Sequence, residues 1–241
     1  IRGSKRSLKG LSLAGFERVM IGRAFLMFDH SDCPPAPFDR QWHSAPLSFE
    51  FAYGRDRIFG HCGGHPTHED WQQSLRATAA HNTLTINGRT AHDITPNGGI
   101  NRRPGAIDLT RTESKDACLI DAIHSGYMAA HGVTHRRRLF LSDQGHDLRG
   151  EDSLTSSLDL TTPKDIAIRF HIHPKVQLAA REDDQEIGLL LPSGSTWRFF
   201  GVGAVASIEE SVYLGTGLKP IKTRQIILRT AMSSKTAQIK W

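Results

Sequence analysis

Long hydrophobic runs are missing from this chain of 241 residues. No stretch approaches the roughly 18 consecutive apolar residues of a membrane-spanning helix, so we expect no membrane partner. Cysteine is scarce as well, and the spacings of Cys33, Cys62 and Cys118 match no disulfide framework and no CxxC metal site. Aromatic residues make up 7% of the chain and form no stripe on which single-stranded nucleic acid could stack, so we expect no nucleic-acid partner either.

Positive charge is in moderate excess. The chain has 30 Lys and Arg against 25 Asp and Glu, with 13 His in addition. A basic protein attracts polyanions, and an acidic polysaccharide satisfies that electrostatic requirement as well as a nucleic acid does. The densest basic run, Arg136–Arg138, is most simply interpreted as a solvated strand face or a charged sheet edge.

The hydrophobic pattern is that of strands. Residues 47–51 alternate strictly, Gly54 marks a turn, and Arg57–Phe59 return as a hairpin partner. Eight further short strands follow at regular spacing between Ala117 and Thr230, and Asp70–Ala80 is the best candidate for a helix. This pattern predicts an all-β fold, a sandwich or a barrel, with few or no helices.

Histidines gather near the ends of the predicted strands. His43 precedes one strand of the hairpin, His61 follows the other, and His81 opens the next strand. Because strand ends meet at one rim of a sandwich, we expect these three side chains to converge. Three imidazoles can hold a structural Zn²⁺ with a fourth position left open.

Two other histidine groups are alternatives. One is a chelating loop, formed by His61, His65 and His68 with Cys62. The other is the strand pair His171 and His173, for which we favour an ordinary role with one ring bonded to a backbone carbonyl.

Several carboxylates and one tyrosine complete the candidates. Asp29, Asp121 and Glu151-Asp152 are the carboxylates of interest. Asp29 ends a predicted strand and Glu151-Asp152 follow Gly150, which favours a capping role in turns for these residues. Tyr127 follows Gly126, where a tyrosine at a strand rim could act as an acid or base, or could simply pack against the sheet.

Four blocks of sequence resemble the heparinase II/III-like proteins. The most specific is Arg76–Leu84, which is similar to an R-x-T-x-A-H-N-T core. His43–Glu50 resembles an H-A-D-A-L-S-F-E block, Tyr127–Arg137 a G-Y-x₇-H-R-R block, and Phe170–Pro174 a later strand motif. These matches stand in the family's order and cover nearly the whole chain.

The resemblance implies that residues 1–241 are a single domain, a large antiparallel β-sandwich of the supersandwich type, and that this domain is the C-terminal part of a longer chain whose α/α toroid is absent here. It implies a polysaccharide lyase that acts by β-elimination on a uronic-acid-containing polysaccharide such as a glycosaminoglycan, with a fragment that is inactive alone. The implied partners are an acidic polysaccharide and the missing toroid. The implied setting is the periplasm or cytoplasm of a bacterium.

The resemblance also assigns residues. His43, His61 and His81 would hold a structural zinc, Tyr127 and Gln41 would be catalytic, and His135 and Arg76 would bind substrate. Two positions depart from the family pattern, because Gln41 replaces a histidine and Ala45 replaces an aspartate. Glutamine can donate a hydrogen bond to a carboxylate but carries no charge. The alternative reading is therefore a non-catalytic carbohydrate-binding or structural sandwich module.

Overall fold

Antiparallel strands dominate the computed structural model, which describes residues 10–241 apart from Ala14, Pro66, Arg102, Pro104, 181–185 and 216–218. The described strands are β1 (Gly10–Leu13), β2 (Phe16–Ile21), β3 (Ala24–Asp29), β4 (Phe49–Tyr53), β5 (Asp56–Phe59), β6 (Leu84–Ile86), β7 (Asp108–Glu113), β8 (Cys118–His124), β9 (Val133–Ser142), β10 (Asp147–Ser156), β11 (Lys164–His171), β12 (Gln177–Ala180), β13 (Glu186–Leu190), β14 (Thr196–Phe200), β15 (Val205–Tyr213), β16 (Ile221–Met232) and β17 (Thr236–Lys240). Two short helices accompany them, α1 (Glu69–Arg76) and α2 (Met128–His131). The predicted all-β sandwich with few helices is confirmed.

The strands form four antiparallel sheets. Their orders are β1-β2-β3-β4-β5, β17-β10-β9-β8-β7, β15-β16-β11-β6 and β12-β13-β14. Single bridges join neighbouring sheets, for example between Phe59 and Ile172 and between Val202 and Lys240. Among the described residues, no helix is long and apolar enough to span a membrane.

One hydrophobic core receives side chains from all four sheets. Phe49 of β4, Leu139 of β9, Phe170 of β11 and Leu189 of β13 belong to it, and none of them is more than 1% exposed. Burial of such side chains is the main favourable term in folding, at about 1.5–3 kcal/mol for each large apolar residue. The alternation of inward apolar and outward polar residues that the sequence shows is therefore what closes the sandwich.

Turn chemistry explains the hairpins that the sequence predicts. Gly54 between β4 and β5 has a φ of 65°, and Asn87 and Gly88 after β6 have φ values of 50° and 67°. These left-handed conformations favour glycine and asparagine. The hairpin of residues 47–59 and the Asn87-Gly88 turn are confirmed.

Strand β10 was not expected, because its sequence is polar and contains glycine. Gly150 is required there by a close approach, since a Cβ at this position would lie 2.0 Å from the Trp241 ring. The predicted capping role of Glu151-Asp152 is wrong, because both residues lie within β10 and Asp152 points into the core with no exposed surface.

A buried ion pair explains why polar residues occupy β10. The Arg137 guanidinium binds Asp152 in a bidentate manner, with Nε–Oδ1 at 2.8 Å and Nη2–Oδ2 at 3.0 Å. Its third nitrogen, Nη1, donates to the carbonyls of Leu47 at 2.9 Å and Asn82 at 2.8 Å. Arg137 has no exposed surface. The expectation that the whole Arg136–Arg138 run is solvated is thus wrong for its central residue.

The Asp152 carboxylate of this pair accepts further hydrogen bonds. Trp241 Nε1 donates to Asp152 Oδ2 at 2.8 Å, and His135 Nε2 donates to Asp152 Oδ1 at 2.6 Å. Burial alone would raise the pKa of Asp152, but Arg137 and His135 together hold it below its usual value. The carboxylate is therefore ionised, and its two oxygens accept four hydrogen bonds from three residues.

Adjacent arginines provide a matched test of this pair. Removing one partner of a buried ion pair costs about 3–5 kcal/mol, because the other charge stays buried without compensation. Arg137→Met should lower the free energy of unfolding by that amount. Arg136→Met breaks only the exposed pair with Asp121 and should cost about 0–1 kcal/mol. Urea denaturation followed by circular dichroism measures both, and equal losses would contradict the account.

Candidate functional site

The R-x-T-x-A-H-N-T block fastens one loop to the sandwich. Arg76 Nε donates to the carbonyl of Trp42 at 2.7 Å, and its Nη2 donates to that of Asp39 at 2.8 Å. Thr78 Oγ1 donates to the carbonyl of Ser44 at 2.7 Å. These bonds end on backbone carbonyls, so they hold the loop whatever its side chains are.

The second half of the block repeats this arrangement closer to the core. Asn82 Nδ2 donates to the carbonyl of Phe49 at 2.8 Å, and Thr83 Oγ1 donates to that of Pro46 at 2.7 Å. Asn82 and Thr83 have no exposed surface. The same loop contains Leu47 in a left-handed conformation, φ 56°, which is costly for a branched residue. We call residues 39–49, held by the 76–83 block, the stapled loop.

The stapled loop brings the three predicted histidines together. His43 Nδ1 lies 3.0 Å from His81 Nε2, and the ring centroids of His61 and His81 are 4.9 Å apart. His171, at the end of β11, contributes a fourth ring that interacts electrostatically with His61. We call these four residues the histidine cluster. The strand-end histidines His43, His61 and His81 thus converge, as the sequence predicts.

Burial keeps the cluster neutral. It lowers the pKa of His43 and of His171 to about 4 and that of His61 to about 3, and it lowers the pKa of His81 strongly. Neighbouring imidazoles add to the effect at His61 and His81. Unprotonated rings can accept hydrogen bonds or bind a metal, so the cluster has the right charge state for either role.

Hydrogen bonds decide which ring nitrogens are available. His81 Nδ1 donates to the carbonyl of Ala77 at 2.9 Å, which leaves the lone pair of Nε2 facing His43. His61 Nδ1 accepts the backbone N–H of Asn82 at 3.2 Å, which places the proton on its Nε2. The neutral His43 then donates its Nδ1–H to His81 Nε2, so a zinc ion at this point would have to replace that hydrogen bond, and His61 has no free lone pair in its present hydrogen bonds. Among the described residues, no group of three or more His, Cys, Asp and Glu side chains is arranged to hold a metal.

The alternative histidine groups have other roles. His171 Nε2 donates to the carbonyl of Ala79 at 3.0 Å, as the backbone-bonded interpretation expected. His65 Nδ1 accepts the backbone N–H groups of Thr67 and His68 and so closes a turn. Cys62 is buried, and burial raises the pKa of its thiol to about 11.

The residues expected to contact substrate fall in different environments. Gln41 is exposed at the end of a 3₁₀ turn, Phe38–Gln41, within the stapled loop. Arg76 is only 4% exposed, and its bonds to the loop carbonyls give it a positioning role. Of this group, Gln41 is the side chain that a polysaccharide could reach directly.

Tyr127 and His135 lie inside the protein. The Tyr127 hydroxyl donates to the carbonyl of Leu84 at 2.7 Å, and burial raises the pKa of this phenol. His135 links Asp152 to His124, whose Nε2 lies 3.0 Å from His135 Nδ1, and Gly126 N–H donates to His124 Nδ1 at 3.0 Å. In this arrangement both residues connect strands. Their roles in proton transfer and substrate binding stay predictions.

Sequence reasoning missed the Arg137–Asp152 pair, although one signal was present. Val133, His135, Arg137, Leu139 and Leu141 alternate along β9 and share one face. Apolar neighbours at every second position place the arginine in the core. A buried arginine requires a carboxylate partner, and the polar strand β10 supplies it.

Comparison with known proteins decides the family. Residues 3–241 match the description "Heparinase II/III-like, C-terminal". The chain belongs to this family. The FtsZ-localized protein C of Caulobacter vibrioides is 26% identical over 250 residues, an alignment that covers 98% of this chain and 43% of that protein.

Solved structures of heparinases have the same fold. A heparinase III, the BT4657 gene product, superimposes with a TM-score of 0.78 at 13% identity. A mutant of the heparan sulfate lyase HepC from Pedobacter heparinus superimposes with a TM-score of 0.79 at 12% identity. Each match covers 99% of this chain and 36% of the other. The chain therefore spans less than half the length of these relatives, and the likeness to the solved structures concerns the fold.

Zinc at the histidine cluster stays a prediction, and metal content tests it. We expect about one zinc per chain in protein that has never met a nickel resin, which requires His43 and His61 to exchange their present hydrogen bonds for the metal. His81→Ala should lose the metal, because Nε2 of His81 faces His43 directly.

The control for this measurement is His146→Ala, since His146 is an exposed residue remote from the cluster in the sequence. It should keep the metal. Elemental analysis after dialysis against zinc, followed by buffer exchange, gives the stoichiometry. Absence of zinc from the wild-type chain, or its retention in His81→Ala, would contradict the prediction.

Proposed function

We propose that this chain is the C-terminal β-sandwich of a polysaccharide lyase that acts by β-elimination on a uronic-acid-containing polysaccharide. The supporting observation is that the stapled loop, anchored by the Arg76–Leu84 block, is largely buried but presents an exposed Gln41, on a fold shared with heparan sulfate lyases. The anchoring block donates five side-chain hydrogen bonds to backbone carbonyls of the stapled loop. The donors are Arg76, Thr78, Asn82 and Thr83.

The proposed reaction defines what the chain must provide. A base removes the proton from the carbon next to the uronate carboxyl, the electron pair forms the C=C bond, and the glycosidic oxygen leaves with a proton from an acid. Negative charge develops on the carboxylate side and must be stabilised. The Gln41 amide can donate one hydrogen bond to that carboxylate.

Tyr127, the residue assigned to proton transfer, is buried, and so is His135. Tyr127 is 1% exposed and His135 is 0% exposed. We therefore infer that the base and the acid are supplied mainly by a toroid domain that faces the stapled loop in a longer chain. The sandwich closes one wall of the cleft, and the 241-residue chain alone is inactive.

Activity measurements test this proposal directly. The full-length protein should convert at least one of heparan sulfate, polygalacturonate and alginate to an unsaturated product, which is followed by its ultraviolet absorbance. The chain alone should give no product. Gln41→Ala in the full-length protein should lower turnover by about 10- to 1000-fold, the cost of losing one donor to developing charge.

The matched control is Gln238→Ala, which removes an exposed glutamine on β17 outside the stapled loop. It should leave turnover unchanged. Product formation by the chain alone would refute the need for a second domain. Unchanged turnover in Gln41→Ala would remove Gln41 from the mechanism.

A second candidate is a non-catalytic binding or structural module. Two observations favour it: Gln41 and Ala45 replace the histidine and aspartate of the family pattern, and a relative of this chain carries a name that refers to localisation with FtsZ. Ala45 is 3% exposed, so the lost aspartate has not been replaced by another polar group at that position. A full-length protein without lyase activity that sediments with FtsZ polymers would support this candidate.

A further inference from the structure

We propose that a groove remote from the histidine cluster binds an anionic oligosaccharide. The inference rests on the proposed function only for the choice of a polysaccharide as the ligand class. The groove has a volume of about 1040 Å³ and lies where β4 and β5, the β9-β10-β17 face and the β13-β14 hairpin meet. That size is at the upper end of ordinary small-molecule sites, and it suits a chain of sugar rings better than a single ring.

The groove and the histidine cluster lie toward opposite ends of β4. Phe49 begins this strand, and its carbonyl is held by Asn82 beside the cluster. Tyr53 ends the strand, next to the Gly54 turn, and its side chain lines the groove. None of the four histidines of the cluster lines the groove. The two features are therefore separate sites.

Aromatic side chains form much of the groove wall. Trp197 packs edge-on against Phe51 and Tyr53, with ring centroids 5.2 and 5.5 Å away. These contacts fix the indole while leaving part of it accessible. Phe200, three residues further on, is 54% exposed. Aromatic faces carry negative electrostatic potential, which attracts the weakly positive C–H groups on the face of a sugar ring.

Phe200 is one of two exposed apolar side chains among the described residues that line the groove. Val202, which also lines the groove, is 62% exposed. Neighbouring exposed apolar side chains next to a concavity mark an interaction site more often than scattered single ones do. A ligand that covers these two side chains would remove their apolar surface from water.

Cations outnumber carboxylates along the groove. The lining contains four cations, Arg138, Arg149, Arg198 and Lys240, and two carboxylates, Asp147 and Glu151. The excess positive charge favours a ligand with carboxylate or sulfate groups. Because the proposed function supplies a polysaccharide as the ligand class, we favour an anionic glycan over nucleic acid.

Two of these cations can exchange partners at little cost. Arg198 meets Glu186 only at 3.7 Å, and its side chain is 71% exposed. Arg149 meets Asp147 at 2.7 Å, and its side chain is 72% exposed. Exposed ion pairs contribute little, so a ligand carboxylate or sulfate that binds the guanidinium in a bidentate manner can replace them.

Hydroxyl groups supply the remaining specificity. Tyr53 forms a hydrogen bond of 2.5 Å with Nε2 of His146 at the groove wall, and Ser195 and Thr196 line it as well. Such polar groups fix the orientation of a ligand in a largely apolar site. The combination of aromatic faces, mobile guanidinium groups and hydroxyls fits an acidic oligosaccharide.

Binding to a size-fractionated heparin oligosaccharide tests the proposal in the full-length protein. We expect binding in low salt that weakens as salt rises, because exposed charges are screened. Arg149→Glu combined with Arg198→Glu should raise the Kd at least about tenfold, and Phe200→Ala should raise it by a smaller factor. Isothermal titration measures each variant, and circular dichroism verifies that it is folded.

The control is Arg229→Glu, which replaces an arginine that is 50% exposed and pairs with Glu209 on another sheet. It should bind like the wild type. An equal loss in this control would overturn the proposal in favour of unspecific attraction. Binding of single-stranded DNA as tight as that of heparin, or unchanged binding in both groove variants, would also overturn it.

The two proposals fail in distinguishable ways. If the lyase hypothesis is wrong, the full-length protein forms no unsaturated product, while the groove variants still bind heparin more weakly than the wild type. If the groove hypothesis is wrong, the groove variants bind heparin like the wild type, whether or not the protein has lyase activity. The groove residues are separate from Gln41 and from the histidine cluster, so neither result predetermines the other.

Discussion

A buried ion pair organises this sandwich. Arg137 on β9 binds Asp152 on β10 with two nitrogens and uses the third to hold the carbonyls of Leu47 and Asn82. Phe49 and Trp241 flank the guanidinium, each ring centroid 5.7 Å away. One side chain thus links two strands to the stapled loop and to the block that fastens it. Because a buried charge is costly when unpaired, these contacts depend on one another.

The family's most specific sequence block has a physical explanation in this arrangement. Arg76, Thr78, Asn82 and Thr83 bind backbone carbonyls of residues 39–49, so the motif preserves a loop conformation rather than a set of reacting groups. A loop held in this way can carry different exposed residues at its tip. The presence of Gln41 where the family pattern has histidine is therefore compatible with an intact fold, and the chemistry can change while the scaffold stays.

Fold class was predictable because alternation and turn residues are local signals. The Gly54 and Asn87-Gly88 turns follow from backbone conformations that few residues adopt. Strand β10 was not predictable from propensity, since Gly150 and Asp152 are there for Trp241 and Arg137, which are distant in sequence. The convergence of His43, His61 and His81 followed from strand ends sharing a rim, but the ring orientation that limits His61 depends on the backbone N–H of Asn82.

Hydrogen exchange in Arg137→Met, compared with Arg136→Met, tests the central claim most directly. If Arg137 holds the loop and its fastening block together, amides of residues 43–49 and 78–84 should exchange faster in Arg137→Met, because local opening there becomes cheaper. Amides of β15 and β16 should keep their protection, and Arg136→Met should resemble the wild type. Unchanged exchange in both segments, or equally faster exchange throughout the chain, would contradict the account.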